Sequence, residues 1–200
     1  MRMLIAAGVC ALVAGAAQGV IVEGTELAPY TAVSNQLASS HGVLFSSLNY
    51  PAVTFTEVYP TIWGVQGCEP WALPSNGGWY SSPIFVSFVD PSDGVTPAVV
   101  GTFSANWGDG GGDFDAVDLR AYDLSNNLIL TQTFTGIGLT QISITAAGIN
   151  RVEFWANTVV GDVTSDTGFD WISYPTPQVP GPGVVAVMAG GLMAGARRRR

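Results

Sequence analysis

Four aspartates, Asp109, Asp113, Asp115 and Asp118, crowd a glycine-rich run whose core reads Gly-Asp-Gly-Gly-Gly-Asp-Phe-Asp from Gly108 to Asp115. Hard cations gather several carboxylate and carbonyl oxygens, so Ca2+ is the metal such a run could hold. The spacing is not that of an EF-hand, since the ligand order and the closing glutamate are missing. It is also only a single imperfect copy of a glycine–aspartate nonapeptide. A flexible solvated turn is the competing reading. Other chemistry has less material. His41, in Ser39-Ser40-His41-Gly42, is the only histidine, and there is no Gly-x-Ser-x-Gly elbow. A serine triad can be drawn with His41, but a polar loop histidine is the simpler reading. Zinc would need more His or Cys than the central part of the chain contains. A glycosidase needs two carboxylates ~5–10 Å apart across a cleft. Glu57, Glu69 and Glu153 are the candidates for that pair, and a secreted carbohydrate-active hydrolase is the alternative to a non-enzymatic protein.

Aromatic residues suggest binding more than catalysis. Trp71, Trp79 and Tyr80 stand in loop-like surroundings, Glu69-Pro70-Trp71 and Gly78-Trp79-Tyr80. An exposed ring can stack on the apolar face of a sugar while nearby acids and amides bond its hydroxyls. Core filling and loop pinning are the other use of such rings. Trp155 and Trp171 fall in strand-like runs and read as structural.

The chain ends speak of sorting. Arg2, an apolar run from Met3 to Val13 and the small residues Ala14 to Gly19 have the form of a secretory signal. Cleavage after Ala16 or Gly19 meets the small-x-small requirement. Segment 1–19 is therefore expected to be a signal helix that is removed; an uncleaved anchor would export the same middle segment. At the other end, Pro180-Gly181-Pro182-Gly183 precedes an uncharged stretch to Ala196, and then come Arg197, Arg198, Arg199 and Arg200. Proline stops the preceding element. Four arginines hold the end on the cytoplasmic side of a membrane. The apolar stretch spans 196 − 183 + 1 = 14 residues. At 1.5 Å each these reach only ~21 Å, short of the ~30 Å hydrocarbon core that a permanent anchor must cross.

A proline box, a short apolar helix and an arginine cluster, in that order at the C-terminus, resemble the PEP-CTERM sorting signal of bacterial exported proteins. Gly181 stands where that family usually has glutamate. The resemblance implies an exosortase-type processing enzyme as partner and transient inner-membrane anchoring. It implies final placement at the cell surface or in the extracellular matrix.

Segment 20–179 holds all 15 acidic residues, opposed only by Arg120 and Arg151, so its formal charge is 2 − 15 = −13. Nucleic acid is excluded as a partner, because phosphate binding needs basic residues. Such a surface collects divalent cations or keeps a secreted protein soluble. Cys68 is the one cysteine left after signal removal, which rules out an intrachain disulfide and reads as a small buried hydrophobe.

Short β-prone runs punctuated by Gly, Pro, Asn and Asp fill this segment. Strands are expected at 43–45, 53–58, 61–63, 84–89, 98–107, 117–122, 128–134, 141–145, 149–156 and 169–174. Val117, Leu119 and Ala121 alternate with Asp118 and Arg120, and Val152 and Phe154 with Arg151 and Glu153. That period places one face in a core and one in water. Asp123 to Asn127 reads as a hairpin connection, because Asn tolerates positive φ. The expected fold is all-β, an antiparallel two-sheet sandwich of jelly-roll type over 20–175, with a sorting tail over 176–200.

Val22-Glu23-Gly24, the aspartate run, Ala121 to Leu128 and Thr167-Gly168-Phe169-Asp170-Trp171-Ile172 are together similar to jelly-roll domains of PEP-CTERM surface proteins and to galactose-binding-like, carbohydrate-binding modules. The resemblance implies polysaccharide as a partner. It also implies a structural calcium tying an early-strand acid to one on the last strand, which maps to Glu23 and Asp170, with Asp113 and Asp115 from the run. The functional expectation is an exported, non-enzymatic structural or adhesive protein. Intact-mass analysis of native surface material should find a chain starting at Ala17 or Val20 and ending near Pro180; chains still carrying Arg200 would rule out tail processing.

Overall fold

The computed structural model describes residues 19–23, 26–27, 31–48, 52–56, 71–74, 83–108, 114–157 and 168–181. In chain order the elements are β1 (Gly19–Glu23), β2 (Thr31–Val33), α1 (Ala38–His41), β3 (Val43–Ser47), β4 (Val53–Thr56), β5 (Trp71–Pro74) and β6 (Ile84–Phe88). They continue with β7 (Val100–Trp107), β8 (Phe114–Tyr122), β9 (Leu128–Ile137), β10 (Thr140–Ile149), β11 (Arg151–Ala156) and β12 (Phe169–Pro175).

Strands β5 to β12 form a jelly roll. Pairing is nested about the β8–β9 hairpin: β7 pairs β10, β6 pairs β11 and β5 pairs β12, all antiparallel. Successive nested pairs fall in alternate sheets, giving β5-β12-β7-β10 in one sheet and β6-β11-β8-β9 in the other. That is the order produced by wrapping one long hairpin around a core. The first four strands extend this frame. β4 and β2 continue the first sheet beyond β5, β1 pairs β12, and β3 flanks β6.

Period-2 patterning explains the register. Val117, Leu119 and Ala121 of β8 and Val152 and Phe154 of β11 are fully buried, whereas Asp118, Arg120 and Arg151 keep partial exposure. Glu153 corrects the expectation of a wet carboxylate: it is only 5% exposed. The connection after β8 turns at Asn126, with φ 62°, and Asp123 organises it. Its Oδ1 accepts from the backbone N–H groups of Ser125 and Asn127 at 2.9 and 2.8 Å, and Oδ2 from the Asn127 amide at 2.9 Å. These bonds favour the ionised form and hold the Asp123 carboxyl below its ordinary pKa.

Three short elements carry too little periodicity to read from sequence: β1, β2 and the single turn α1, closed by Gly42 in the left-handed region at φ 70°. β1 begins at Gly19, inside the expected signal segment. β5 places Trp71 in a strand, where a loop was expected, because the chain around it pairs with β4 from Thr56↔Trp71 to Val53↔Pro74. Expected strand 61–63, Cys68, Trp79, Tyr80 and both terminal helices lie outside the described residues. So do Glu57, Glu69, Asp109 and Asp113.

Between the sheets runs a chain of rings in which each partner comes from the opposite sheet. Phe45 meets Phe169 at 6.2 Å, Phe169 meets Phe154 at 5.3 Å, and Phe154 meets Phe103 at 5.8 Å. Phe103 meets Phe88 at 6.3 Å, and Phe88 meets Tyr174 at 4.8 Å. Every phenylalanine in the series is at most 1% exposed. The Tyr174 hydroxyl donates to the His41 carbonyl oxygen at 3.1 Å, so the one polar ring has its partner. Phe154 touches rings on both of its sides. Phe154→Ala should lower unfolding stability by about 3–5 kcal/mol in a denaturant titration, and a loss under ~1 kcal/mol would show that the ring series is not what joins the sheets.

Candidate functional site

Two clusters bring together residues that chemistry could use. The first is built by an irregularity in β12. Against β7 the register runs Phe169↔Trp107 and then Trp171↔Asn106, so Asp170 is an extra residue on a bulge. The bulge shifts parity, which lets both Phe169 and Ile172 face the core. It also leaves Asp170 only 8% exposed. Its Oδ2 accepts from the Asn106 amide at 3.0 Å, while Oδ1 is buried without a hydrogen-bond partner among the described residues. On the other side of β12, β1 sets Glu23 opposite Trp171, next to Asp170 along the strand. Burial raises the Asp170 pKa above its ordinary value and the Glu23 charge raises it further, against the opposing effect of the Asn106 bond.

An orphaned carboxylate oxygen beside a second carboxylate is what a hard cation would relieve. Glu23 and Asp170 therefore fit as two oxygen ligands of a Ca2+, an ion that takes about six to eight. The two described aspartates of the run lie elsewhere. Asp115 is fully buried on β8, paired opposite Gly136 of β9 in the other sheet. Asp118 accepts from Thr133 at 2.7 Å and from Asn157 at 2.9 Å on the outer face of that sheet. Among the described residues no three His, Cys, Asp or Glu side chains converge on one point.

The second cluster covers the outer face of the five-stranded sheet, across β6, β11 and β8. Register aligns Phe85 with Glu153, Glu153 with Arg120, and Arg151 with Tyr122. Glu153 is the hub: Oε1 accepts from Arg151 Nε at 2.8 Å and Oε2 from the Trp155 indole N–H at 2.8 Å. The Arg120 guanidinium lies 4.5 Å from the Trp155 ring centroid and that of Arg151 4.4 Å from Tyr122. Each stack is a cation–π contact that orders a long side chain. Phe85 and Trp155 centroids are 6.3 Å apart. Burial, followed by the Glu153 charge, raises the Tyr122 pKa, so the phenol keeps its proton and can donate.

Sequence reading passed over this face because Phe85, Tyr122 and Trp155 each sit beside a core residue in the same strand. The signal was there in the alternation: three aromatics and both central arginines occupy wet-face positions. Glu153, a candidate for a hydrolytic carboxylate pair, has both oxygens engaged and almost no access to solvent. His41 ends α1, with Ser40 Oγ 2.8 Å from its Nδ1 and Glu26 Oε1 3.4 Å from its Nε2. Serine and histidine are sequence neighbours here. The carboxylate holds the ring nitrogen that a triad would turn to its serine.

No protein-family model matches the chain, and comparison with curated proteins finds no match. Among the described residues no helix is long and apolar enough to cross a membrane.

A carboxyl whose pKa is raised by folding destabilises the folded state as pH climbs from the ordinary 3.8 through the raised value. Without added cation, Asp170→Asn should therefore raise the melting temperature at pH 7 by about 2–6 °C, and should flatten the decline across that window. It should also remove any difference between Ca2+ and Mg2+ at matched ionic strength. A melting temperature that falls on substitution would mean that the carboxylate is favourable where it stands.

Proposed function

We propose that the protein is an exported, non-enzymatic surface or matrix protein whose jelly roll binds polysaccharide through the outer face of its five-stranded sheet. The observation that carries the reading is the pre-ordered array of Phe85, Tyr122, Trp155, Arg120 and Arg151 around Glu153. Rings held by guanidinium stacking offer apolar surface for a pyranose, and the guanidinium and phenol groups beside them can bond its hydroxyls. The charges of Arg120, Arg151, Asp118 and Glu153 cancel, so a neutral or weakly acidic glycan suits the face. A structural Ca2+ at Glu23 and Asp170 is the cofactor proposed with it.

The geometry of the chain ends supports sorting. Gly19 pairs with Pro175, so both ends of the domain leave from one place. Among the described residues Gln178 is the last one pinned, exchanging backbone hydrogen bonds with Val99 at 2.9 Å. Val179 is 46% exposed, and open space surrounds Gly181. A processing enzyme acting at Pro180 to Gly183 would find Gly181 exposed, a few residues beyond the last strand. Release would leave the domain's binding face intact.

Titration of the secreted protein against a panel of neutral and uronic polysaccharides tests the binding role. Trp155→Ala should weaken binding about tenfold or more, the scale of one lost aromatic contact at a binding centre. Thr145→Ala, at an exposed position of the other sheet, should leave it unchanged. Equal affinity for wild type and Trp155→Ala would remove the face from consideration.

A further inference from the structure

Residues 124–150 contain no Asp, Glu, Lys or Arg, a run of 150 − 124 + 1 = 27 in a segment that is otherwise strongly acidic. The run also lacks proline, and it forms β9 and β10, which end their respective sheets. Edge strands expose unpaired backbone groups and template further pairing unless something blocks them. The other described edges carry such devices. β2 is three residues long, β1 ends in Glu23, and β10 breaks register between Thr145 and Ile149 around Gly148 at φ 77°. On β3 the Phe45 N–H is taken by the Ser34 carbonyl at 2.8 Å.

β9 carries only one irregularity, a bulge at its start where Ile129 falls between the pairs Leu128↔Tyr122 and Leu130↔Ala121. It is ten residues long, pairs only with β8 among the described strands, and runs in unbroken register from Leu130 to Ile137. Leu128, Ile129 and Ile137 are 55%, 37% and 63% exposed. Its composition also fits itself. An antiparallel copy related by a two-fold axis at Gln132 sets Leu130 against the partner copy's Phe134 on the core side, and Phe134 against Leu130 in return. Both side chains already pack at the margin of their own core. On the outer side Thr131 meets Thr133, a favourable cross-strand pair. Elsewhere the surface is acidic and repels a second copy; along β9 it is neutral.

We propose that β9 is a homotypic docking edge: two copies of this chain pair antiparallel through β9, joining their five-stranded sheets into one continuous sheet. The occupant is a second copy because the edge is self-complementary in length, pattern and charge. Such pairing would place two polysaccharide-facing arrays side by side on one surface, although the pairing itself does not depend on that function.

Sedimentation equilibrium of the full chain, in density-matched detergent so that the apolar ends do not associate, should show a reversible monomer–dimer equilibrium. The proposed axis makes Gln132 face Gln132 of its partner, so like charges introduced there oppose each other. Gln132→Lys alone and Gln132→Glu alone should each weaken dimerisation about tenfold or more. An equimolar mixture of the two should recover it as a heterodimer, to within about threefold of wild type. Gln132 is exposed, and unchanged melting curves will show that both variants fold. A wild type that stays monomeric to about 1 mM, a dimer indifferent to either charge, or a mixture that fails to recover would each overturn the proposal.

Discussion

Contact between rings of opposite sheets is the constraint on which the remaining structure depends. Phe45, Phe88 and Phe154 project from one sheet; Phe103, Phe169 and Tyr174 project from the other and fill the spaces between them. Between the two layers, large rings bring the greatest apolar area per residue. The series also sets what the strands may do elsewhere. Because Phe169 and Ile172 must both reach the core, β12 has to bulge, and the bulge is what leaves Asp170 buried with an unbonded oxygen. A packing requirement thus buries the Asp170 carboxylate within reach of the Glu23 charge.

Charge is distributed with similar economy. The domain's only two cations, Arg120 and Arg151, converge on one sheet face, where each covers an aromatic ring. Glu153 collects a bond from Arg151 and another from Trp155, so the face is locked in one arrangement before any ligand arrives. Preorganised rings and donors lose little freedom on binding, which is what the proposed glycan-binding role would require of this face. The remaining formal charge of the segment is acidic, and none of it falls on β9.

Several features were legible in the residues. Alternation at Val117 to Ala121 and at Val152 to Phe154 identified half-buried antiparallel strands, and Asp123 to Asn127 identified the tight connection between β8 and β9. These elements are local: each needs only its own period or its own turn chemistry. Glu153 departs from its strand's period. The alternating pattern put it in water, but Arg151, Trp155 and Arg120 close over it from the same and the neighbouring strand, and its burial comes from their packing. Trp71 was read from the proline and glutamate before it as a loop residue, yet pairing with β4 draws it into a strand. Asp115 and Asp170 belong to different sheets, a separation that spacing along the chain does not express.

Taken alone, the sequence determined the all-β class and the positions of the long strands. Composition and period suffice for these, because each is a property of neighbouring residues. Tertiary structure alone decided the nested pairing of β5 to β12, the meeting of Glu23 with Asp170, the convergence of both arginines on Trp155 and Tyr122, and which strand was left as an open edge. Those depend on which strands become neighbours. Neighbourhood follows from burying all the inner rings at once, a condition on the whole chain that no single segment contains.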